Sequence, residues 1–467
     1  MGGFFGVASN EDCVTDLFYG TDYHSHLGTM RGGLAVVNLK NKISRVIHNI
    51  TNAQFRSKFT DELDLLYGNK GIGVISDYED QPLVIASHLG VYAIVTVGVV
   101  VNIDALEKKA YKNRITHFSE MGSGELNPTE VISTLINQGE SFEEGLKIAQ
   151  EAIEGSCSIL ILTGKGIFAA RDKLGRTPVI VGKKENACAV TFETSAFYNL
   201  GYSTEYYLGP GEVIFVTEHG YKTVVPAREK MRICTFLWVY YGYPSSNYEN
   251  INVEIVRNRC GAALAKREKE DIDVVGGIPD SATGHAIGFA NEARLRYGRP
   301  FVKYTPTWPR SFMPQAQKTR DLVATMKLLP VKELIENKSL LFCEDSIVRG
   351  TQLRFTIKRL FESGAKAIHM RPACPPLVYG CKFLNFSRSR SELDLAARKA
   401  IKQLEGKDDA HLEEYANPDS DKHQKMVEII KEELGLTSLK YQRLDDMVAA
   451  VGLPKEKLCT YCWDGVG

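Results

Sequence analysis

Short apolar runs separated by turn residues dominate the first half of the chain. Their β-branched and aromatic residues predict strands at residues 33–39, 71–75, 83–86, 92–101, 158–162, 178–181 and 212–216. Apolar residues at helical spacing predict helices at residues 127–137 and 143–152. The pattern favours a sheet-rich domain with helices packed against it.

The pattern of predicted elements changes after a connector at residues 226–233. Strands are then predicted at residues 273–277, 339–342 and 367–371, alternating with helices at 284–297 and 352–362. Such alternation is typical of an α/β domain with a parallel sheet, whose sites lie at the carboxyl ends of the strands. We therefore predict two domains, residues 1–230 and 231–467, the second ending in a charged helical tail that contains cysteines.

The composition narrows the range of partners. Lys plus Arg and Asp plus Glu both number 57 in 467 residues, so no field of one sign favours nucleic acid or an anionic membrane. The longest apolar run, residues 91–101, is too short to cross a bilayer, and the start has no basic segment before its apolar residues. A cytoplasmic protein is expected, whose ten cysteines favour reduced thiols or metal ligands over disulfides.

Residues 340–352 carry the most specific chemistry. An apolar strand runs into two carboxylates, Glu344 and Asp345, and then into a turn with hydroxyl groups and a glycine before the next helix. The carboxylates can accept hydrogen bonds from ribose hydroxyls, and backbone N–H groups at a helix N-terminus favour a phosphate. A strand that simply ends in an acidic turn is the alternative.

This segment resembles the 5-phosphoribosyl-1-pyrophosphate (PRPP) loop of type I phosphoribosyltransferases, in the version found in glutamine PRPP amidotransferases. The resemblance implies that Glu344, where the family has aspartate, and Asp345 orient the ribose in catalysis and are candidates to hold Mg²⁺. It also implies a phosphate-binding turn, which consists of Ser346, Ile347, Val348, Arg349, Gly350 and Thr351.

A strand and glycine-bearing loop at residues 273–290 resemble the pyrophosphate loop of the same family. The resemblance implies substrate contacts from Asp280 and Ser281, and it places Ala282 where the family has a metal-contacting serine. Magnesium would then rely on the phosphates and hydroxyls of its ligand. A packing turn is the alternative.

Residues 301–317, followed by residues 326–328, resemble the loop that closes over PRPP. The resemblance implies that Lys303 binds substrate, and that Arg310 and Lys327 offset the charge on departing pyrophosphate. Ordinary surface charge is the alternative for these cations.

The first half resembles the glutaminase domain of these amidotransferases through residues 168–182 and 208–220. The resemblance implies a four-layer αββα fold of the N-terminal-nucleophile hydrolase class. In that family the mature chain begins with a cysteine whose thiol attacks glutamine and whose amino group serves as base. Gly2 stands at that position, and Cys13, the nearest thiol, has no adjoining amine and is interpreted as structural.

Other glutamine-binding positions of the family have lost their polar groups. The arginine of its His-Arg-Gly motif falls on Leu27, and its carboxylate-binding His-Val-Arg-Tyr motif falls on residues 74–77. Its oxyanion-stabilising Asn-Gly falls on residues 97–98, and the aspartate for the glutamine amino group falls near residues 127–128. We therefore expect that this half does not hydrolyse glutamine.

Cysteines form the last motif. Cys459 and Cys462 make a C-x-x-C, which alone is compatible with zinc, redox chemistry or coincidence. Together with Cys234 and Cys381 they match the ligand positions of family members that carry a [4Fe-4S] cluster, which we prefer to zinc. Because the ligands come from distant segments, the cluster is expected to be a structural link between them.

The resemblance implies an amidophosphoribosyltransferase-like protein of purine biosynthesis that binds PRPP. Our first hypothesis is that it forms 5-phosphoribosylamine from free ammonia or from ammonia supplied by a partner. The alternative is a non-catalytic protein that binds PRPP or a purine nucleotide and regulates an intact paralogue. The family forms homotetramers, so an oligomer is expected.

Overall fold

The computed structural model describes residues 2–112, 126–304, 328–384 and 392–467. The strands of its first half are β1 (Gly2–Ser9), β2 (Arg31–Val37), β3 (Ile43–Asn49), β4 (Lys70–Ser76), β5 (Leu83–Ser87), β6 (Gly90–Val100), β7 (Gly155–Thr163), β8 (Gly166–Ala170), β9 (Ile180–Lys184), β10 (Ala187–Thr191), β11 (Ser203–Tyr207), β12 (Val213–Thr217) and β13 (Gly220–Val225). The helices are α1 (Val14–Asp22), α2 (Phe55–Phe59), α3 (Ile103–Lys112), α4 (Pro128–Ile136), α5 (Phe142–Ala152) and α6 (Ser195–Tyr198), with a 3₁₀ helix at Thr60–Leu65.

These strands form two antiparallel sheets that stack face to face, in the orders β11-β9-β10-β1-β4-β2-β3 and β13-β12-β8-β7-β6-β5. Side chains alternate between the faces. Gly6 of β1 faces Leu160 of the second sheet, whereas the neighbouring Phe5 faces α1. On the far side, Ile161 of β7 packs in one buried cluster with Ile132 of α4. The layers are helix, sheet, sheet and helix, which confirms the predicted αββα fold.

The strands of the second half are β14 (Ile233–Cys234), β15 (Asn247–Tyr248), β16 (Ile251–Asn252), β17 (Val274–Gly277), β18 (Phe301–Lys303), β19 (Leu328–Pro330), β20 (Ser339–Glu344), β21 (Ala367–Pro372), β22 (Ser438–Leu439) and β23 (Leu458–Cys459). The helices are α7 (Val253–Ala265), α8 (Thr283–Ala293), α9 (Thr351–Glu362), α10 (Ala396–Glu405), α11 (Leu412–Ala416), α12 (Asp421–Leu434), α13 (Leu444–Val451) and α14 (Tyr461–Asp464). A π-helical turn lies at Leu237–Tyr241, and 3₁₀ helices lie at Lys332–Leu334, Glu392–Asp394 and Lys455–Lys457.

A parallel sheet in the order β17-β20-β21-β22 organises this half. Leu340 and Phe342 of β20 belong to one buried cluster, whereas Leu341 and Cys343 belong to another on the opposite face. Helices therefore cover both faces, and the carboxyl ends of the strands are left for a site. This confirms the predicted parallel α/β domain.

One predicted boundary is wrong. The helix expected at residues 284–297 ends at Ala293, because Arg294 adopts a left-handed conformation with φ of 55°. The chain then returns to the sheet, where Tyr297 forms a parallel bridge with Val275. Across the described ranges, no helix has both the length and the apolar character needed to span a membrane.

A buried carboxylate connects the two halves. Glu193, just after β10, accepts hydrogen bonds from the Tyr248 hydroxyl (2.5 Å) and from the Tyr243 N–H (3.2 Å). Its Oε2 also lies 3.0 Å from Nε2 of His26. Burial alone would raise the pKa of Glu193, but His26 and the Tyr248 hydroxyl outweigh burial and lower that pKa.

The parallel sheet gives a stability prediction. Phe342 is fully buried in β20, so Phe342→Ala should lower the free energy of unfolding by about 3–5 kcal/mol through lost burial and a cavity. Phe361→Ala is the matched control, because Phe361 is 39% exposed on α9 and should cost much less. Urea unfolding followed by circular dichroism measures both, and equal losses would contradict the assigned core.

Candidate active site

Two carboxylates end the central strand of the parallel sheet. Glu344 is the last residue of β20, and Asp345 follows it and is buried. One Asp345 oxygen accepts a hydrogen bond from the Ser346 hydroxyl at 2.6 Å, and the other accepts one from the Ser281 hydroxyl. The loop after β17 and the turn after β20 are thus joined through Asp345.

The two carboxylates cannot both hold their charge easily. Burial, and then the charge of Asp345, raise the pKa of Glu344 well above its usual range. Beneath them lies Arg257, whose guanidinium donates to the carbonyl oxygens of Trp238 (3.0 Å) and Gly242 (2.8 Å). Burial lowers the pKa of Arg257, and the charge of Asp345 opposes that shift. The site is therefore suited to hydroxyl donors or a cation.

The turn after Asp345 presents backbone donors. Gly350 has φ of 74° and is the N-cap of α9, which begins at Thr351. Among the described residues, no hydrogen bond is donated by the backbone N–H groups of Ile347, Val348, Gly350 or Thr351. The side chains of Ile347 and Val348 pack into separate hydrophobic clusters, so these residues offer only their backbone. Such N–H groups at a helix N-terminus suit a phosphate.

The other predicted residues have different surroundings. The Arg349 guanidinium lies 3.6 Å from the Asp394 carboxylate at the surface. Lys303 Nζ lies 2.5 Å from Asp280 Oδ2, and both side chains are largely exposed. Ser281 reaches Asp345 as described, whereas Ala282 is buried and begins α8. Arg310 and Lys327 lie outside the described residues.

A small cavity lies at the start of β1, where the sequence motifs of the first half converge. Gly2, Ile75, Ser76, Val97 and Gly98 line it, together with Tyr78, Glu79 and Thr96. Some of the aligned motif positions therefore lie together, whereas Leu27 and residues 127–128 are not part of this lining. The cavity measures about 10 Å³, roughly the space for one water molecule.

The backbone also closes on Gly2. A Cβ atom at Gly2 would lie 2.1 Å from the Ile75 carbonyl oxygen, a distance that requires one strand to move. Glu79 borders the cavity and accepts hydrogen bonds from Ser76 Oγ (3.2 Å) and Gln81 Nε2 (2.8 Å). Burial raises the pKa of Glu79. Asn127 caps α4 through the Thr129 N–H at 3.0 Å.

Three chain segments bring the four predicted cysteines together. Cys234 and Cys459 are opposite each other in the parallel pair β14–β23, and the backbone carbonyl of Cys462 accepts from residues 378 and 379. Burial, then the charges of Cys459 and Cys381, raise the pKa of Cys234. A hydrogen bond with Cys381, then burial, raises that of Cys462.

This cysteine cluster matches the chemistry of a four-thiolate site, but its arrangement is not that of a preformed metal centre. Within the part of the chain that the structure describes, no three His, Cys, Asp or Glu side chains are placed to hold a metal ion. Arg176 is buried beside the cluster, and its Nε has no hydrogen-bond partner among these residues. Burial raises the pKa of Cys459, and Arg176 opposes that shift. A buried cation is suited to a cluster of negative net charge.

Three residues of these sites were missed in the sequence. Glu79, Glu193 and Arg257 belong to none of the sequence motifs, and charged residues outside motifs are usually solvated. Only their burial reveals their roles. Glu193 could have been suspected from its position after a strand of four buried apolar residues and a threonine.

The fold and site define a class: a protein that joins a glutamine amidotransferase-like sandwich to a phosphoribosyltransferase-like parallel sheet. Residues 71–199 match the family model described as a glutamine amidotransferase domain. The solved glutamine PRPP amidotransferase from B. subtilis, complexed with ADP and GMP, superposes with a TM-score of 0.85 at 26% identity, covering 99% of this chain and 96% of that one.

Relatives of known name extend the similarity to the sequence. The amidophosphoribosyltransferase of Methanocaldococcus jannaschii is 28% identical and spans 100% of this chain and 97% of its own length. That of Bacillus subtilis is also 28% identical, over 86% of this chain and 85% of its own. These comparisons support a relationship to the amidophosphoribosyltransferase family of purine biosynthesis over the whole chain.

The closed backbone at Gly2 gives a prediction. Gly2→Cys should lower the free energy of unfolding by about 1–3 kcal/mol, because its Cβ must displace the Ile75 carbonyl, and it should not restore glutamine hydrolysis. Gly2→Ala is the matched variant and should lose as much, since the clash comes from Cβ. Thermal unfolding and glutamate release measure both effects. A Gly2→Cys protein as stable as the parent and able to release glutamate would contradict the closed geometry.

Proposed function

We propose that this chain transfers a phosphoribosyl group from PRPP to ammonia and forms 5-phosphoribosylamine and pyrophosphate. The observation that carries the proposal is the turn at residues 346–351. Its backbone N–H groups at Ile347, Val348, Gly350 and Thr351 are without partners among the described residues, directly beyond two carboxylates. A 5′-phosphate in the turn would place ribose hydroxyls at Glu344 and Asp345.

The reaction needs positioning and charge stabilisation more than covalent chemistry. The ammonia lone pair forms a bond to C1 of the ribose, the C1–oxygen bond to pyrophosphate breaks, and the ammonium product loses a proton to water. Asp345, held by Ser281 and Ser346, would orient the ribose, and Lys303 would help to balance the charge that develops on pyrophosphate. Arg310 and Lys327 are proposed for the same task from the sequence alone.

A divalent cation belongs to this proposal. Glu344 and Asp345 are the residues that would hold Mg²⁺ through the ribose hydroxyls. The raised pKa of Glu344 supports this assignment, because a nearby cation would stabilise its charged form. Mg²⁺ would supply charge neutralisation for the departing pyrophosphate. Ala282 contributes no side-chain oxygen here.

We further propose that the first half does not hydrolyse glutamine, so that ammonia is free or comes from a partner. Gly2 has no nucleophile, and the cavity beside it is about 10 Å³, too small for a glutamine side chain. Leu27 and residues 74–77 lack the cations that would hold a substrate carboxylate. We also propose that the boundary between this domain and the second domain lies near residue 230.

Cys234, Cys381, Cys459 and Cys462 are the residues that would hold a [4Fe-4S] cluster. Thiolates are suited to iron and sulfide, and the buried Arg176 would balance the negative charge. The cluster would link the connector after the first half to the C-terminal segment. Its role in this proposal is structural.

A second candidate function is regulatory binding of PRPP or a purine nucleotide without turnover. The specific observation in its favour is that Ser281 is occupied by Asp345 while Ala282 is buried, which leaves the pyrophosphate loop without a free hydroxyl at these two positions. Names of similar structures include an allosteric regulatory enzyme of purine biosynthesis and a complex with ADP and GMP.

The central experiment measures pyrophosphate release from PRPP and Mg²⁺. Ammonium chloride should support release, whereas glutamine should not. Asp345→Asn should lower the ammonia-dependent rate at least a hundredfold, because the amide loses the charge that holds the ribose. Asp409→Asn, at an exposed aspartate between α10 and α11, is the control and should match the parent.

The outcomes separate the candidates. Calorimetric binding of PRPP without pyrophosphate release would favour the regulatory function. Release supported by glutamine alone would contradict the loss of glutaminase activity. Absence of binding for both PRPP and purine nucleotides would refute both candidates.

Metal analysis tests the cysteine cluster. Protein purified without oxygen should contain about four irons and four sulfides per chain. Cys459→Ser should lose them, whereas Cys157→Ala, which removes a buried thiol that is not a predicted ligand, should retain them. One zinc with no iron or sulfide would contradict the assignment.

A further inference from the structure

A second cavity, of about 240 Å³, lies beside the edge strand β22. Its walls come from the end of α7, from α12 and from residues 440–443, which lead into α13. Among the described residues, those that line this cavity include none of residues 344–351 and none of the pyrophosphate loop. Nothing in the proposed phosphoribosyl reaction uses it.

Four cations and one carboxylate are among the residues that line the cavity. The cations are Arg267, Arg371, Lys440 and Arg443, and the carboxylate is Glu268. Such a concentration of positive side chains in a concave site favours an anionic ligand, because guanidinium groups present paired donors to phosphate or carboxylate oxygens.

These cations differ in how firmly they are already paired. Arg371 Nε and Glu268 Oε2 are 2.6 Å apart, and both side chains are almost fully buried. This ion pair therefore stabilises the fold. Arg267 lies 3.4 Å from Asp446, with the two side chains 37% and 40% exposed. Arg443 pairs with an aspartate that is 67% exposed. Exposed pairs of this kind are weak, so Arg267 and Arg443 can exchange their partners for a bound anion.

Arg267 interacts with two other residues of the lining, Gln442 and Arg443. Its Nη2 donates to Gln442 Oε1 at 2.6 Å, but its buried Nε has no hydrogen-bond partner within the described residues. Burial lowers the pKa of Arg267, and the neighbouring Arg443 adds to that shift. An anion between the two guanidinium groups would relieve their repulsion.

A histidine adds the second kind of contact. His423 Nδ1 lies 2.7 Å from the Tyr415 carbonyl, which can only accept, so Nδ1 carries the proton. Burial lowers the pKa of His423, so the ring is neutral and its Nε2 is an acceptor. The cavity lining thus combines an acceptor for a hydroxyl group with donors for an anion.

We propose that this cavity is a binding site for a small phosphorylated sugar, with the phosphate between Arg267 and Arg443 and a hydroxyl group donating to His423. The ligand is small because the cavity lies below the usual range of about 300–1,000 Å³ for drug-sized molecules. The site is separate from the turn at residues 346–351, and the proposal does not depend on the proposed function.

The test is calorimetry with ribose 5-phosphate on the full chain carrying Thr351→Glu, which places a carboxylate at the PRPP-like turn and excludes phosphate there. One molecule should bind per chain. Adding Arg267→Gln and Arg443→Gln should weaken binding at least tenfold. Lys425→Gln, at an exposed lysine of α12 outside the lining, is the matched control and should bind like the parent.

A second variant distinguishes loss of binding from loss of folding. Gln424→Glu adds a carboxylate to the lining from an exposed position on α12 and should also weaken binding at least tenfold, while the melting temperature is unchanged. Absent binding in the Thr351→Glu protein, or equal affinity in the arginine variants, would overturn the site. Malonate bound as tightly as ribose 5-phosphate would overturn the ligand class.

Discussion

The chemistry of the second half depends on one constraint: two adjacent carboxylates stand at the buried end of a central strand. Burial, and then the charge of Asp345, raises the pKa of Glu344. Ser281 and Ser346 satisfy Asp345, but they cannot neutralise a second charge. Such a site favours ligands that bring hydroxyl donors, a cation, or both. In the adjacent turn, the N–H groups of Ile347, Val348, Gly350 and Thr351 have no partner among the described residues, which favours the phosphate that such a ligand would carry.

The first half presents the opposite situation. In our proposal Gly2 occupies the position of the nucleophile, and the neighbouring strand lies so close that a Cβ at Gly2 would touch the Ile75 carbonyl. The space that is left is bordered by Glu79, a carboxyl whose pKa burial raises. This domain nevertheless retains its complete four-layer fold and its buried link to the second half through Glu193 and Tyr248. Its role in our account is to support the other domain.

Much of this could be predicted from the sequence, because the informative features are local. The strand, acidic pair and glycine turn at residues 340–352 indicated a site at a strand end, and the alternation of elements indicated a parallel sheet. Motif alignment also placed Gly2 and residues 74–77 and 97–98 in one site, and Gly2, residues 75–76 and residues 97–98 line one cavity. By contrast, the end of α8 depends on the left-handed conformation of Arg294, which arginine rarely adopts and which the sequence therefore does not predict.

Long-range electrostatics could not be predicted. The sequence does not show that Arg257 lies beneath Asp345, or that Arg176 reaches the cysteine cluster from the other domain. Hydrogen–deuterium exchange with mass spectrometry tests the central claim most directly, because it reports both sites in one experiment. PRPP with Mg²⁺ should slow exchange at residues 346–351, and glutamine should leave residues 74–79 and 96–98 unchanged. Unchanged exchange in the turn with PRPP, or protection beside Gly2 with glutamine, would contradict the account.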